Sequence, residues 1–150
     1  GMLTKPAYWV GSQRKVANIG SVNQGWQNSG VHGLALDGNT VYQAGWTMNM
    51  DGQYPTYWKN QTKYILQGTT VNGKQYDQGK ATDIAIVDGK VVVVGMLTGD
   101  YLLNPNGVPY DYGDGPEINN DTGYPCIWID GTIHVLDTGG DFEVGGFYIR

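Results

Sequence analysis

The chain has 150 residues, enough for one ordinary domain, with 24 glycines, 15% charged residues and a net charge of −5. An acidic balance with no basic stripe excludes nucleic acid as a partner and argues against an anionic membrane surface. No apolar run reaches about 18 residues, which excludes insertion as a membrane-spanning helix. Glycine scattered between short β-branched runs, without a collagen period, points instead to a turn-rich all-β protein.

Gly1-Met2 reads as a tag remnant before a start or an internal join. The first predicted strand, a, holds Ala7-Tyr8-Trp9-Val10-Gly11, and a second, b, spans residues 14–17. A Gly- and Asn-rich loop precedes residues 31–46, which read as a hairpin of strands c and d, with Asp37-Gly38 ahead of Val41-Tyr42. The order then repeats. Thr56-Tyr57-Trp58-Lys59-Asn60 is strand a, 63–66 is strand b, another loop follows, and 81–96 is the c-d hairpin. In that hairpin Asp88-Gly89 lies between Ile84, Ile86 and the run Val91-Val92-Val93-Val94, with Gly95 closing the second strand. An Asp-Gly pair between β-branched runs is a strong hairpin signal, because the favoured two-residue turn needs positive φ at both positions. Cys126-Ile127-Trp128-Ile129-Asp130-Gly131 is a third strand a, 133–136 a third strand b, and 144–149 a last strand resembling c.

Trp58 lies 49 residues after Trp9, and Trp128 lies 70 after Trp58. The period is therefore near 50, with one insertion of about 20 at residues 99–123; such periods signal propellers, solenoids or arrays. The units run from about 7 to 56, 57 to 125 and 126 to 150. The predicted fold is all-β, built of antiparallel four-stranded repeats in a propeller-like arrangement. Two complete c-d-a-b blades leave complementary half-blades at the two ends. Pairing of the 144–149 strand with the N-terminal strands of a second chain would make a homodimer of ordinary propeller size, half a propeller completed by dimerisation; the alternative is a chain that folds alone as an open, short array.

The Tyr57-Trp58-Lys59-Asn60 start, a later Leu, the Ile84-Ala85-Ile86 strand and the Val41-Tyr42-Gln43-Ala44-Gly45 strand resemble repeats of bacterial secreted and surface-lipoprotein β-propellers. The resemblance covers nearly all of the chain outside the insertion. It implies a secreted, periplasmic or cell-surface location, with any signal or lipoprotein anchor lying outside this sequence.

No catalytic motif stands out: there is no Gly-x-Ser-x-Gly elbow, no His-Glu-x-x-His and no phosphate-cradling loop. His32 and His134 read as structural or surface histidines, and Cys126 as a buried, inert thiol. A Cys126–His134 dyad across the Asp130-Gly131 turn is conceivable but runs against the apolar setting of the cysteine. The insertion gathers Asp100, Asp111, Asp114, Glu117 and Asp121 without a Lys or Arg, yet lacks a calcium-loop pattern, so a solvated acidic loop is expected and no metal or other cofactor is assigned.

Eleven Tyr and five Trp against two Phe suit half-wet positions. Trp9, Trp58 and Trp128 recur at one repeat position and are expected in the core or between blades. Trp26, Trp46, Tyr54 and Tyr76 fall in or beside loops, near Asn23, Gln24, Gln27, Asn28, Asn49, Asp51 and Gln53. Stacking on aromatic faces with amides and carboxylates at the hydroxyls is carbohydrate-binding chemistry. The candidate ligand-binding set is Trp26, Trp46, Asn49, Asp51 and Tyr54, with Tyr110 and Tyr112 in the insertion. The expected function is a non-enzymatic binding module for glycan or protein. The alternatives are a propeller-scaffold glycoside hydrolase or lyase using Asp51 and Asp111 as acid and base, and a purely structural repeat.

Overall fold

A computed structural model describes residues 4–20, 28–98, 104–108 and 123–136. The described residues are all-β, without helix. In chain order the strands are β1 (Ala7–Val10), β2 (Gln13–Val16), β3 (Asn28–Asp37), β4 (Thr40–Asn49), β5 (Gly52–Lys59), β6 (Thr62–Ile65), β7 (Thr69–Val71), β8 (Lys74–Tyr76), β9 (Gln78–Val87), β10 (Lys90–Thr98), β11 (Tyr124–Ile129) and β12 (Thr132–Val135). All pairings are antiparallel. Two four-stranded meanders, β3-β4-β5-β6 and β9-β10-β11-β12, are the c-d-a-b groups expected from the repeats; β1-β2 and β7-β8 are separate hairpins. The described residues form no closed barrel or propeller. The predicted strand at 144–149 lies outside them.

Turn chemistry fixes the hairpins. Asp88-Gly89 and Asp130-Gly131 are left-handed at both positions, with φ of 49° and 75°, and 48° and 83°. The first c-d hairpin differs from expectation. Asp37 pairs with Thr40, so the loop is Gly38-Asn39 rather than Asp37-Gly38, and glycine takes the first position at φ 56°. The β7-β8 hairpin, turning on Asn72-Gly73, occupies a stretch expected to be loop. Its three-residue strands are too short to display an alternation.

Gly45 and Gly95 do not close their strands. β4 continues to Asn49 and β10 to Thr98. Both glycines face a β-bulge, at His32 in β3 and at Thr82 in β9, where the register slips by one residue. A Cβ on Gly45 would collide with the carbonyl oxygen of Gly30, and one on Gly95 with that of Lys80. The repeated glycine therefore marks close backbone approach opposite the extra residue.

The a-b hairpins share a second device. Pro6, Pro55 and Pro125 each stand three residues before the repeated tryptophan. Their carbonyls accept the N–H groups of Ala17, Leu66 and Leu136 at 2.8, 2.9 and 2.8 Å. On an antiparallel strand N–H and C=O of one residue point to the same side. The missing proline N–H thus faces the place where strand b ends, where a central-strand proline leaves no ladder bond unmade. At the turn two residues after the tryptophan, Gly11, Asn60 and Asp130 are all left-handed. Asn60 Oδ1 accepts from the N–H of Val41 at 3.0 Å, and Asp130 Oδ1 from that of Val91 at 2.9 Å. In each of the two meanders this ties the a-b turn to strand d.

The two meanders pack unlike face to unlike face, with β9 against β3, β4 and β5. Tyr42 and Ala44 of the first meet Val93, Leu97, Cys126 and Trp128 of the second in one core, which also contains Leu66 and Tyr76. The opposite face of the first meander, carrying Gln43 and Trp58, turns to the N-terminal hairpin: Gln43 Nε2 donates to the Ala7 carbonyl at 3.3 Å. Trp58 Nε1 donates to the Asn18 carbonyl at 2.7 Å, and Trp128 Nε1 to the Gln67 carbonyl at 2.8 Å. The repeated tryptophan therefore fastens each unit to the exit of strand b in the unit before it. Trp58 and Trp128 are fully buried, as expected; Trp9, expected to match them, is 64% exposed.

Candidate functional site

Four of the seven candidate ligand-binding residues are described, and all four gather at the β4-β5 end of the first meander. Trp46 stands on β4, Asn49 ends that strand, Asp51 is in the turn, and Tyr54 is on β5. Trp26, Tyr110 and Tyr112 lie outside the described residues, as do Asp111 and the other carboxylates of the insertion.

Local chemistry assigns these residues unlike tasks. Asn49 Oδ1 accepts from the backbone N–H groups of Asp51 at 2.9 Å and Gly52 at 3.0 Å. Its carboxamide oxygen therefore shapes the turn. Gly52 sits against the Gln78 carboxamide, whose Nε2 reaches the Asp51 carbonyl at 3.4 Å, and Gln53 Nε2 donates to the Gly79 carbonyl at 3.2 Å. These bonds pin the turn to the start of β9 in the second meander.

Trp46 is half-buried and lies over Gly30 of β3; a Cβ there would come within 2.7 Å of the indole Nε1. The glycine leaves room for the ring and holds it flat. Trp46 pairs with Pro55, and Tyr54 with Thr47. Cross-strand partners share a face and successive residues alternate, so Trp46 and Tyr54 stand on opposite faces of the sheet. Asp51 is exposed at the turn. Trp46 shares the face of Tyr42 and Ala44, which turns to the second meander, so the end of this meander offers one partly buried ring and, at the turn, one exposed acidic residue, rather than a two-sided aromatic clamp.

Tyr76, expected beside a loop, is buried on β8 and meets Tyr124 edge to face at 4.7 Å. The Cys126–His134 dyad is ruled out by the pleat: Cys126 pairs with Val135 and His134 with Ile127, on opposite faces. Burial pushes the Cys126 thiol up to about 12, against a smaller opposing effect from a backbone bond at Leu97, and Sγ donates to the Tyr124 carbonyl at 3.2 Å. That is an inert thiol. His32 sits at the β3 bulge, its pKa lowered by partial burial and then by Lys80. Among the described residues no group of three or more His, Cys, Asp or Glu side chains could hold a metal ion. No helix among them is long and apolar enough to cross a membrane.

Sequence reasoning passed over the proline three residues before each tryptophan, the Asn60 and Asp130 bonds to strand d, and the bulge. The proline was visible as a fixed spacing. The bulge depends on cross-strand register, which no local pattern displays. No family model, curated protein or solved structure matches this chain.

Proposed function

We propose that the chain is a non-enzymatic binding module of propeller-like repeat architecture, acting outside the cytoplasm, with glycan as the ligand class that its chemistry fits best. The observation that carries this reading is Trp46: a partly buried indole lying against Gly30, on the strand that leads into a turn whose geometry is fixed by Asn49 and which presents Asp51. A rigid ring with a polar edge is a stacking surface for the apolar face of a sugar, and an adjacent carboxylate accepts from its hydroxyls. Tyr54 serves the opposite face of the sheet and belongs to a different contact. Binding is calcium-independent, because the ring and turn do the work.

The test is a glycan array followed by calorimetry on wild type, Trp46→Ala and Asp51→Asn, with and without chelator, and a thermal melt on each variant. Saccharide binding that Trp46→Ala removes and chelator leaves unchanged supports the reading. An array without hits, or binding indifferent to Trp46, sinks it. Calcium-dependent binding would move the site to the acidic insertion.

A further inference from the structure

Each unit of this chain offers one face to the unit before it and the other to the unit after. The repeated tryptophan is the forward contact, and its indole donates to the strand-b exit of the preceding unit. The residue that closes each a-b hairpin is the rearward contact: Ala17 and Leu66 are 2% and 3% exposed beneath the unit that follows. A second contact, borne by a cation, accompanies that of Trp58. Lys63 Nζ donates to the Ile19 carbonyl at 2.8 Å.

The two ends of the described fold each lack one neighbour. At the head, Trp9 is 64% exposed where Trp58 and Trp128 are 0%. Arg14, which corresponds to Lys63 five residues after its tryptophan, is exposed beside it. At the tail, Leu136 is 58% exposed where its two counterparts are buried. Neither end is malformed. Ala17 and Leu136 close their hairpins onto Pro6 and Pro125 with bonds of 2.8 Å, equal within 0.1 Å to that of the internal unit. The hairpins are built alike, and what differs is the neighbour.

We propose that these two ends are the complementary halves of one interface, so that the Trp9 face of one copy docks on the Leu136 face of a second copy, head to tail. The partner is another copy of this chain because the fit is already realised between its own units: an indole and a cation from strands a and b meet the exit of the previous strand b. Among the described residues the contact is not made, since Trp9 and Leu136 are both exposed there. Trp9 is a large rigid ring with a donor at its edge, the kind of residue that anchors interfaces. The junction is heterologous, so it either returns on itself after a small number of copies or extends; both outcomes use the same contact. It is independent of the ligand at Trp46, which lies on a different sheet from Trp9.

Sedimentation velocity over a concentration series tests this with wild type, Trp9→Ser and Leu136→Asp. Both residues are exposed, so far-ultraviolet circular dichroism and melting should show intact folds. Wild type is expected to associate with rising concentration, and each variant to remain a monomer. An equimolar mixture of the two variants restores a 1:1 complex, because one contributes an intact tail and the other an intact head. A wild type that stays monomeric up to about 0.1 mM overturns the proposal. So does association that survives either variant, or a mixture that stays monomeric. Saccharide binding by Trp9→Ser reports separately on Trp46, so failure of the interface and failure of the glycan site are told apart.

Discussion

The three tryptophans form a natural experiment, because one residue type stands at one repeat position with three different surroundings. Replacing each by phenylalanine removes the indole donor and part of the ring. At Trp58 the loss leaves the Asn18 carbonyl without its 2.7 Å partner, and at Trp128 it leaves the Gln67 carbonyl without its 2.8 Å partner. An acceptor stranded in this way costs about 1–3 kcal/mol. Both rings are fully buried, so a smaller ring adds a cavity contribution, and a combined loss of about 2–4 kcal/mol is expected at each. For a chain of this size each kcal/mol lowers Tm by roughly 2–4 °C, so a fall of roughly 4–16 °C should be seen. Trp9 is mostly exposed, and Trp9→Phe should stay within about 0.5 kcal/mol of wild type. The assay is thermal and urea unfolding at dilute protein concentration, where self-association does not contribute, with coincident probes checking two-state behaviour. Equal losses at the three positions, or a silent Trp58→Phe, would refute the inter-unit role of the indole bond.

Three further outcomes follow from local geometry. Asn60→Gly and Asp130→Gly keep the left-handed turn but remove the bond to strand d, so each should cost about 0.5–1.5 kcal/mol, with faster amide exchange at Val41 and Val91 respectively. Gly45→Ala or Gly95→Ala drives a methyl into a carbonyl oxygen of the neighbouring strand, and a loss of about 1–3 kcal/mol is expected by urea titration; unchanged stability would show that the bulge gives way. The Cys126 thiol, held near 12 by burial, should resist a disulfide reagent at pH 8 and react only upon denaturation; rapid modification of the native chain would contradict its burial.

What was legible in the sequence was what local chemistry decides. Asp88-Gly89 between β-branched runs announced its hairpin, and the recurrence of that phrase around Gly38 announced the second, because strand alternation and turn preference are written within a few residues. The loop of the first hairpin was misplaced by one position, since Asp37-Gly38 and Gly38-Asn39 are both acceptable turns and only the pairing of Asp37 with Thr40 chooses between them. Trp9 was expected to be buried because its phrase matches that of Trp58. Burial, however, belongs to a residue's neighbour in space, and the neighbour of Trp9 is not in the described fold. The candidate site was half legible. Trp46, Asn49, Asp51 and Tyr54 do fall at one end of a meander, but alternation sends Trp46 and Tyr54 to opposite faces, and the Asn49 oxygen is engaged by its own turn.

The two meanders differ most at one joint. Between strands d and a, residues 50–51 connect β4 to β5, whereas residues 99–123 connect β10 to β11. The flanking ladders nevertheless match: Trp46 faces Pro55 in one and Met96 faces Pro125 in the other. A connection roughly twelve times longer spans between three and four doublings, and closing it costs only about 2 kcal/mol more in chain entropy. The frame is thus nearly indifferent to what is hung at this joint. For an engineer it is a graft port, where a peptide epitope or a small domain can be exchanged for residues 99–123 while the paired strands hold their register. For natural variation it separates two rates of change, since the ladders can stay fixed while the segment between them is rewritten.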